Sequence, residues 1–142
     1  MSLTEQDRKT LVGLEIEKAR KFLKQADKNY KEEEWDIAAN RYYYACFHAV
    51  QALFVYNGIA SHRHSGMLRQ FGKYFVQTGV MGKDAGAFLN RMEQLRTKAD
   101  YNVIFSISSE ELQSMVAPAH NLIEHISKLL ICPPTVKESE LS

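Results

Sequence analysis

Residues 41–54, RYYYACFHAVQALF, constrain the fold more than any other stretch of this chain. At a helical period, Ala38, Tyr42, Ala45, Ala49 and Leu53 form one apolar stripe, and Tyr43, Phe47, Val50 and Phe54 form a second beside it. A helix that is apolar on two sides must be packed on two sides, so it lies centrally in a bundle or also serves a subunit interface. Between the stripes runs a polar line, Arg41, Tyr44, His48 and Gln51. If that line is partly enclosed, each group costs about 1–3 kcal/mol unless it is hydrogen-bonded. Its partners must then come from across the bundle, from across a dimer, or from a ligand.

The rest of the chain also reads as helix. Ser2 and Glu5 are spaced as a capping box, and Val12, Ile16, Ala19, Leu23, Ala26 and Tyr30 mark one face of the helix behind them. The charged cluster KEEEW breaks this pattern without Pro or Gly, and a second helix is predicted from near Trp35 to the Asn57-Gly58 stop, antiparallel to the first. IASHRHSG reads as a loop. Met67, Leu68, Phe71 and Phe75 then mark a shorter helix ending at Gly79, and Phe88, Met92, Leu95 and Ala99 a fourth. YNVIFSIS resembles a strand but is too short and isolated to build a sheet. Ser108 and Glu111 form another capping box, opening a helix through Leu112, Met115, Ala119, Leu122, Ile126 and Leu129, with Pro118 expected to kink it or to remove a hydrogen bond. The predicted fold is all-α: an antiparallel up-and-down bundle of four main helices plus a short helical insertion. It forms one domain over residues 1–131, with a flexible tail over 132–142.

Composition narrows the function classes. The 142 residues carry 18 basic and 17 acidic groups, so no strong overall field recruits nucleic acid or an anionic membrane. No apolar run approaches the roughly 20 residues of a membrane span. Two cysteines, Cys46 and Cys132, give no disulfide framework, and a cytoplasmic location is expected. His62 and His64 lack a carboxylate or thiolate at a supporting spacing, so no metal site is expected. The glycines follow no predicted strand and make no phosphate loop, and Ser65 is a loop or cap residue rather than a nucleophile. No cofactor is implied.

One other segment carries chemistry. In RTKADYN, Arg96 and Asp100 are four apart, the spacing of an intrahelical ion pair, with Tyr101 at the helix end. The same guanidinium could hold a phosphate or an RNA backbone, which it matches bidentately. Arg41, Tyr44, His48, His64, Arg96 and Asp100 are therefore the candidate ligand-binding residues. Arg41 and Arg96 in one enclosed pocket would repel unless Asp100 or a bound anion stood between them.

Three ordered segments, RYYYACFHAVQALF, HSGMLRQFGKYFVQTG and LRTKADYN, resemble the HEPN superfamily, in particular its small stand-alone prokaryotic proteins, over roughly residues 10 to 131. The resemblance implies a helical bundle that forms a homodimer and is often encoded beside a minimal nucleotidyltransferase in a toxin–antitoxin arrangement. Many members are metal-independent ribonucleases built on Arg-x(4–6)-His, the arginines and histidines of two subunits meeting in one cleft. Arg96 matches the motif's arginine, but the positions open to its histidine hold Tyr101, Asn102 and Val103. A tyrosine, with a pKa near 10, is a poor general base at neutral pH. The expectation is a protein that binds a nucleotide, RNA or a nucleotidyltransferase partner through a degenerate motif. The alternatives are a ribonuclease using Arg96 with Tyr101 or another substituted base, an imidazole from His48 or His64 included, and a non-catalytic scaffold.

Overall fold

Small residues decide where the helices meet. Ala38, Ala39, Ala45, Ala49 and Ala52 are all fully buried on one helix, which lets three neighbours approach its backbone closely. The computed structural model describes residues 4–60, 64–104 and 106–131. They form α1 (Glu5–Lys31), α2 (Trp35–Tyr56), α3 (His64–Phe71), a π-helical turn (Gly72–Val76), α4 (Lys83–Tyr101) and α5 (Ser109–Ile131). The Ala-rich helix is α2, and it packs against α1, α4 and α5. The chain is all-helical, with no strand among the described residues.

Cross-helix pairs give the directions. Along α1 and α2, Glu15 meets His48 and Asp27 meets Tyr42, so the two run antiparallel. Asn40 meets Asp100 and Arg96 lies over Tyr43, which makes α4 antiparallel to α2. His120 meets Asp27 and Arg20 meets Ser127, which makes α5 antiparallel to α1. At one end Phe54 stacks on Phe75 at 5.6 Å and Phe75 meets Phe71 at 5.8 Å, so α3 and the π-helical turn close the bundle over α2. Burying a side chain of this size contributes about 1.5–3 kcal/mol.

Several local expectations need correction. Ser2 lies outside the described residues, and the cap of α1 is Thr4, whose Oγ1 accepts from the Asp7 N–H at 3.0 Å. Two overlapping Ser/Thr-x-x-acid signals compete there, and sequence cannot rank them. The loop read from IASHRHSG is shorter than predicted, because α3 already begins at His64. The turn between α1 and α2 places Glu33 at φ 62, a left-handed position usually given to glycine, and three successive amides of Glu32, Glu33 and Glu34 bond back to carbonyls of α1. The predicted box at α5 is present: the Glu111 N–H donates to Ser108 Oγ at 3.1 Å, and the Ser108 N–H donates to Glu111 Oε1 at 3.3 Å. α5 continues through Pro118, which has no N–H to give the Ser114 carbonyl. The tail 132–142, Cys132 included, lies outside the described residues.

Tyr43 and Phe54, on the second apolar stripe that could have served a subunit interface, are 1 % and 0 % exposed within the single subunit. With three helices around it, α2 spends this apolar surface inside its own bundle. Phe47 remains half-buried.

Candidate phosphate-binding site between α2 and α4

The inner face of α4 is set by Leu89, Met92 and Arg96, at spacings of three and four. Arg96 thus occupies a core position and is 5 % exposed. Its guanidinium lies 4.8 Å from the Tyr43 ring centre and 5.7 Å from that of Tyr44. Nη2 donates to both oxygens of Glu93 at 3.0 Å, while Nη1 stands 3.6 Å from Asp100 Oδ2. Nε is buried and has no hydrogen-bond partner among the described residues.

Burial opposes the charged form of Arg96. The hydrogen bond and charge of Glu93, with smaller contributions from Tyr44 and Tyr43, outweigh it and hold the pKa above the ordinary arginine value. The guanidinium is therefore permanently cationic. The Tyr43 hydroxyl is pushed upward by burial first and then by its hydrogen bond to Glu93, so it stays protonated. Glu93 also accepts from Thr97 Oγ1 at 3.3 Å.

Asp100 links this cluster to α2. Asn40 Nδ2 donates to Asp100 Oδ2 at 3.1 Å and Oδ1 at 3.4 Å, and Asn40 Oδ1 accepts from Arg41 Nη1 at 3.3 Å. Arg41 in turn lies over the Phe22 ring at 5.0 Å. Arg41, Tyr44, Arg96 and Asp100 are thus in one assembly, with Asp100 and Asn40 between the two arginines. Four steps along a helix turn about 40°, keeping Asp100 on the Arg96 face.

Tyr101 is one step further and turned about 140° from Arg96. It is 76 % exposed, and does not close over the buried guanidinium as a substituted base would. His48 lies on the same line of α2, but its Nδ1–H donates to Glu15 on α1 at 2.7 Å and its ring meets the edges of Phe22 and Phe47. The side chain of His64 lies outside the described residues, as does His62. Gln51 Nε2 donates to Met67 Sδ at 3.3 Å. Among the described residues no cluster of His, Cys, Asp and Glu could hold a metal, and no helix is long and apolar enough to cross a membrane.

Sequence reasoning missed Asn40 and Glu93. Glu93 stands three before Arg96, a readable ion-pair spacing, and Asn40 adjoins Arg41. Neither position says which carboxylate binds more tightly.

A family profile described as HEPN domain matches residues 13–129, most of the chain. The chain belongs to the HEPN family. The domain is 35 % identical over 113 residues to a "UPF0332 protein" of Thermotoga maritima, an alignment covering 80 % of this chain and 86 % of that protein. It is 32 % identical over 122 residues to a Methanocaldococcus jannaschii protein named "Putative toxin", covering 86 % and 83 % of the two chains. A second M. jannaschii protein of that designation is 31 % identical over 115 residues, covering 81 % and 85 %. In this HEPN domain, Arg96 and the three positions that follow the motif spacing all fall on α4 and the residues just after it.

Proposed function

We propose that this HEPN domain works in a toxin–antitoxin-like system by binding the phosphate backbone of RNA at the Arg96 cluster, without cleaving it. The observation that carries this reading is the asymmetry of Arg96. Nη2 is held by both oxygens of Glu93 at 3.0 Å, whereas Nη1 meets Asp100 at only 3.6 Å. A phosphate has the geometry and charge to replace Asp100 there, because a guanidinium bonds phosphate as it bonds a carboxylate. Cleavage would need a proton acceptor beside the reacting hydroxyl. Tyr101 is exposed and His48 is engaged by Glu15, so no imidazole among the described residues is bonded to the cluster.

The toxin designation of two relatives supports the system-level part of this reading. The partner expected in such a system is a minimal nucleotidyltransferase. The domain itself is expected to act as a homodimer.

Labelled single-stranded RNA titrated against wild type and Arg96→Ala, without divalent metal and at two salt concentrations, tests the proposal. Binding that weakens with salt and is lost in Arg96→Ala, with intact RNA recovered, is the expected result. Cleavage dependent on Arg96 would put the ribonuclease reading first. Binding of ATP but not RNA would make the ligand a nucleotide, and binding of neither would favour a scaffold.

A further inference from the structure

The α1–α2 face carries a second cationic group, which shares Arg41 with the Arg96 cluster and adds Lys18 to it. The half-buried ring of Phe22 has the Arg41 guanidinium 5.0 Å and the Lys18 ammonium 5.8 Å from its centre. Among the described residues neither cation forms an ion pair with a carboxylate. The nearby Glu15 carboxylate is bonded to His48 instead. Each cation–ring contact contributes about 0.5–1 kcal/mol, and two like charges gathered on one ring raise the local potential. A bound anion would relieve that repulsion.

This group is continuous with the Arg96 cluster. Rings run from Phe22 to His48 at 5.4 Å, to Phe47 at 5.3 Å and to Tyr44 at 6.0 Å, where Arg96 lies 5.7 Å from the ring centre. A polar route runs beside it through Arg41, Asn40 and Asp100. Arg41 and Tyr44 are about 4.5 Å apart along the helix axis and lie on one face. Half-buried aromatic rings flanked by cations are what a flexible polynucleotide uses, bases stacking on rings while phosphates meet the charges.

We propose that Lys18, Phe22 and Arg41 form a second subsite that holds the single-stranded RNA flanking the phosphate at Arg96. This rests on the RNA-binding reading above and adds that the ligand is an oligonucleotide rather than a mononucleotide.

The test compares a fluorescein-labelled octauridylate with a labelled uridine dinucleotide, by anisotropy, on the full chain. Variants are Lys18→Gln, Arg41→Gln, their combination, and Arg96→Gln. Lys18 is exposed on α1, so its substitution leaves the core intact and guards against a folding artefact at Arg41. Wild type should prefer the octamer, and the double variant should lower the octamer-to-dinucleotide affinity ratio about tenfold, with the salt slope reduced by about 0.7 for each phosphate no longer neutralised. Arg96→Gln should weaken both probes. An unchanged ratio and slope would overturn the subsite while leaving the phosphate site at Arg96 standing, as would a wild type with no preference for the octamer. Failure of wild type to bind either probe would sink both. If instead the double variant halves the mass seen by light scattering and leaves the ratio alone, the strip is a contact between two copies and the proposal falls.

Discussion

Asn40 donates its side-chain amide to both oxygens of Asp100, holding that carboxylate against Arg96 from the opposite helix. On the proposed reading, Asp100 occupies the place a ligand phosphate would take. Removing its charge should make the site a better anion receptor. Asp100→Asn is expected to raise affinity for single-stranded RNA several-fold, and titration of the two proteins side by side checks it. Weaker binding in the variant would mean that Asp100 supports the ligand rather than competes with it.

Arg96 also supports the fold. Arg96→Ala leaves Glu93 without its main partner in a site that is largely closed, and breaking such a pair costs about 3 kcal/mol, less to the extent that water reaches Glu93. Substituting Glu93→Gln in the same background should recover part of the loss by removing the stranded charge. Urea midpoints of the three proteins measure it, and full stability of the single variant would show that the pair contributes nothing.

On the other side of α2, Asp27 Oδ1 accepts from the Tyr42 hydroxyl at 2.6 Å and from His120 Nε2–H at 2.9 Å, tying three helices through one atom. Tyr42 is fully buried, so Tyr42→Phe should destabilise the protein by about 1–2 kcal/mol. Because both donors share one acceptor, a double-mutant cycle with His120→Ala should depart from additivity by at least about 0.5 kcal/mol. Strict additivity would show that the two bonds act independently.

Buried tyrosines set the alkaline limit of stability. Burial is the main cause that pushes Tyr42 and Tyr43 above the ordinary tyrosine value, with Asp27 and Glu93 adding to it. The unfolded chain ionises first, near pH 10, so the native state holds more protons above that point. Stability should be full below about pH 10 and fall as pH rises further, by at most about 1.4 kcal/mol per pH unit for each tyrosine. Denaturation followed from pH 8 to 12 checks the sign, and Tyr43→Phe should flatten the fall. Cys46, fully buried and with its thiol pKa raised by burial, should resist a thiol reagent in the native Cys132→Ser protein and react on unfolding.

The proposed homodimer can be tested directly from mass. Tyr101, Val103 and Ile104 are exposed by 76 %, 101 % and 95 %, beside Asp100 of the candidate site, an apolar group that a second subunit could cover. Light scattering at micromolar concentration should give twice the monomer mass, and Val103→Asp with Ile104→Asp should reduce it to one. A monomeric wild type would remove the shared-cleft expectation.

The sequence by itself determined the helices. Apolar residues every three or four positions specify which face of each helix is buried, and the Asn57-Gly58 stop and the Ser108–Glu111 box fix two ends because their hydrogen bonds are local. It also singled out Arg41 and Tyr44, as polar groups between two apolar stripes that need partners, and Arg96 and Asp100, four apart near a helix end. Tertiary packing decided which partners those are. Local spacing treats Arg96 with Asp100 as an ordinary ion pair, yet the closer carboxylate is Glu93, and Asp100 is shared with Asn40 from another helix. Likewise, Tyr43 and Phe54 look like interface residues until α1, α4 and α5 close around α2. Helix periodicity reports the direction of a side chain from its own axis. What stands opposite depends on crossing geometry between segments far apart in sequence, and that geometry chose the partners of these polar groups.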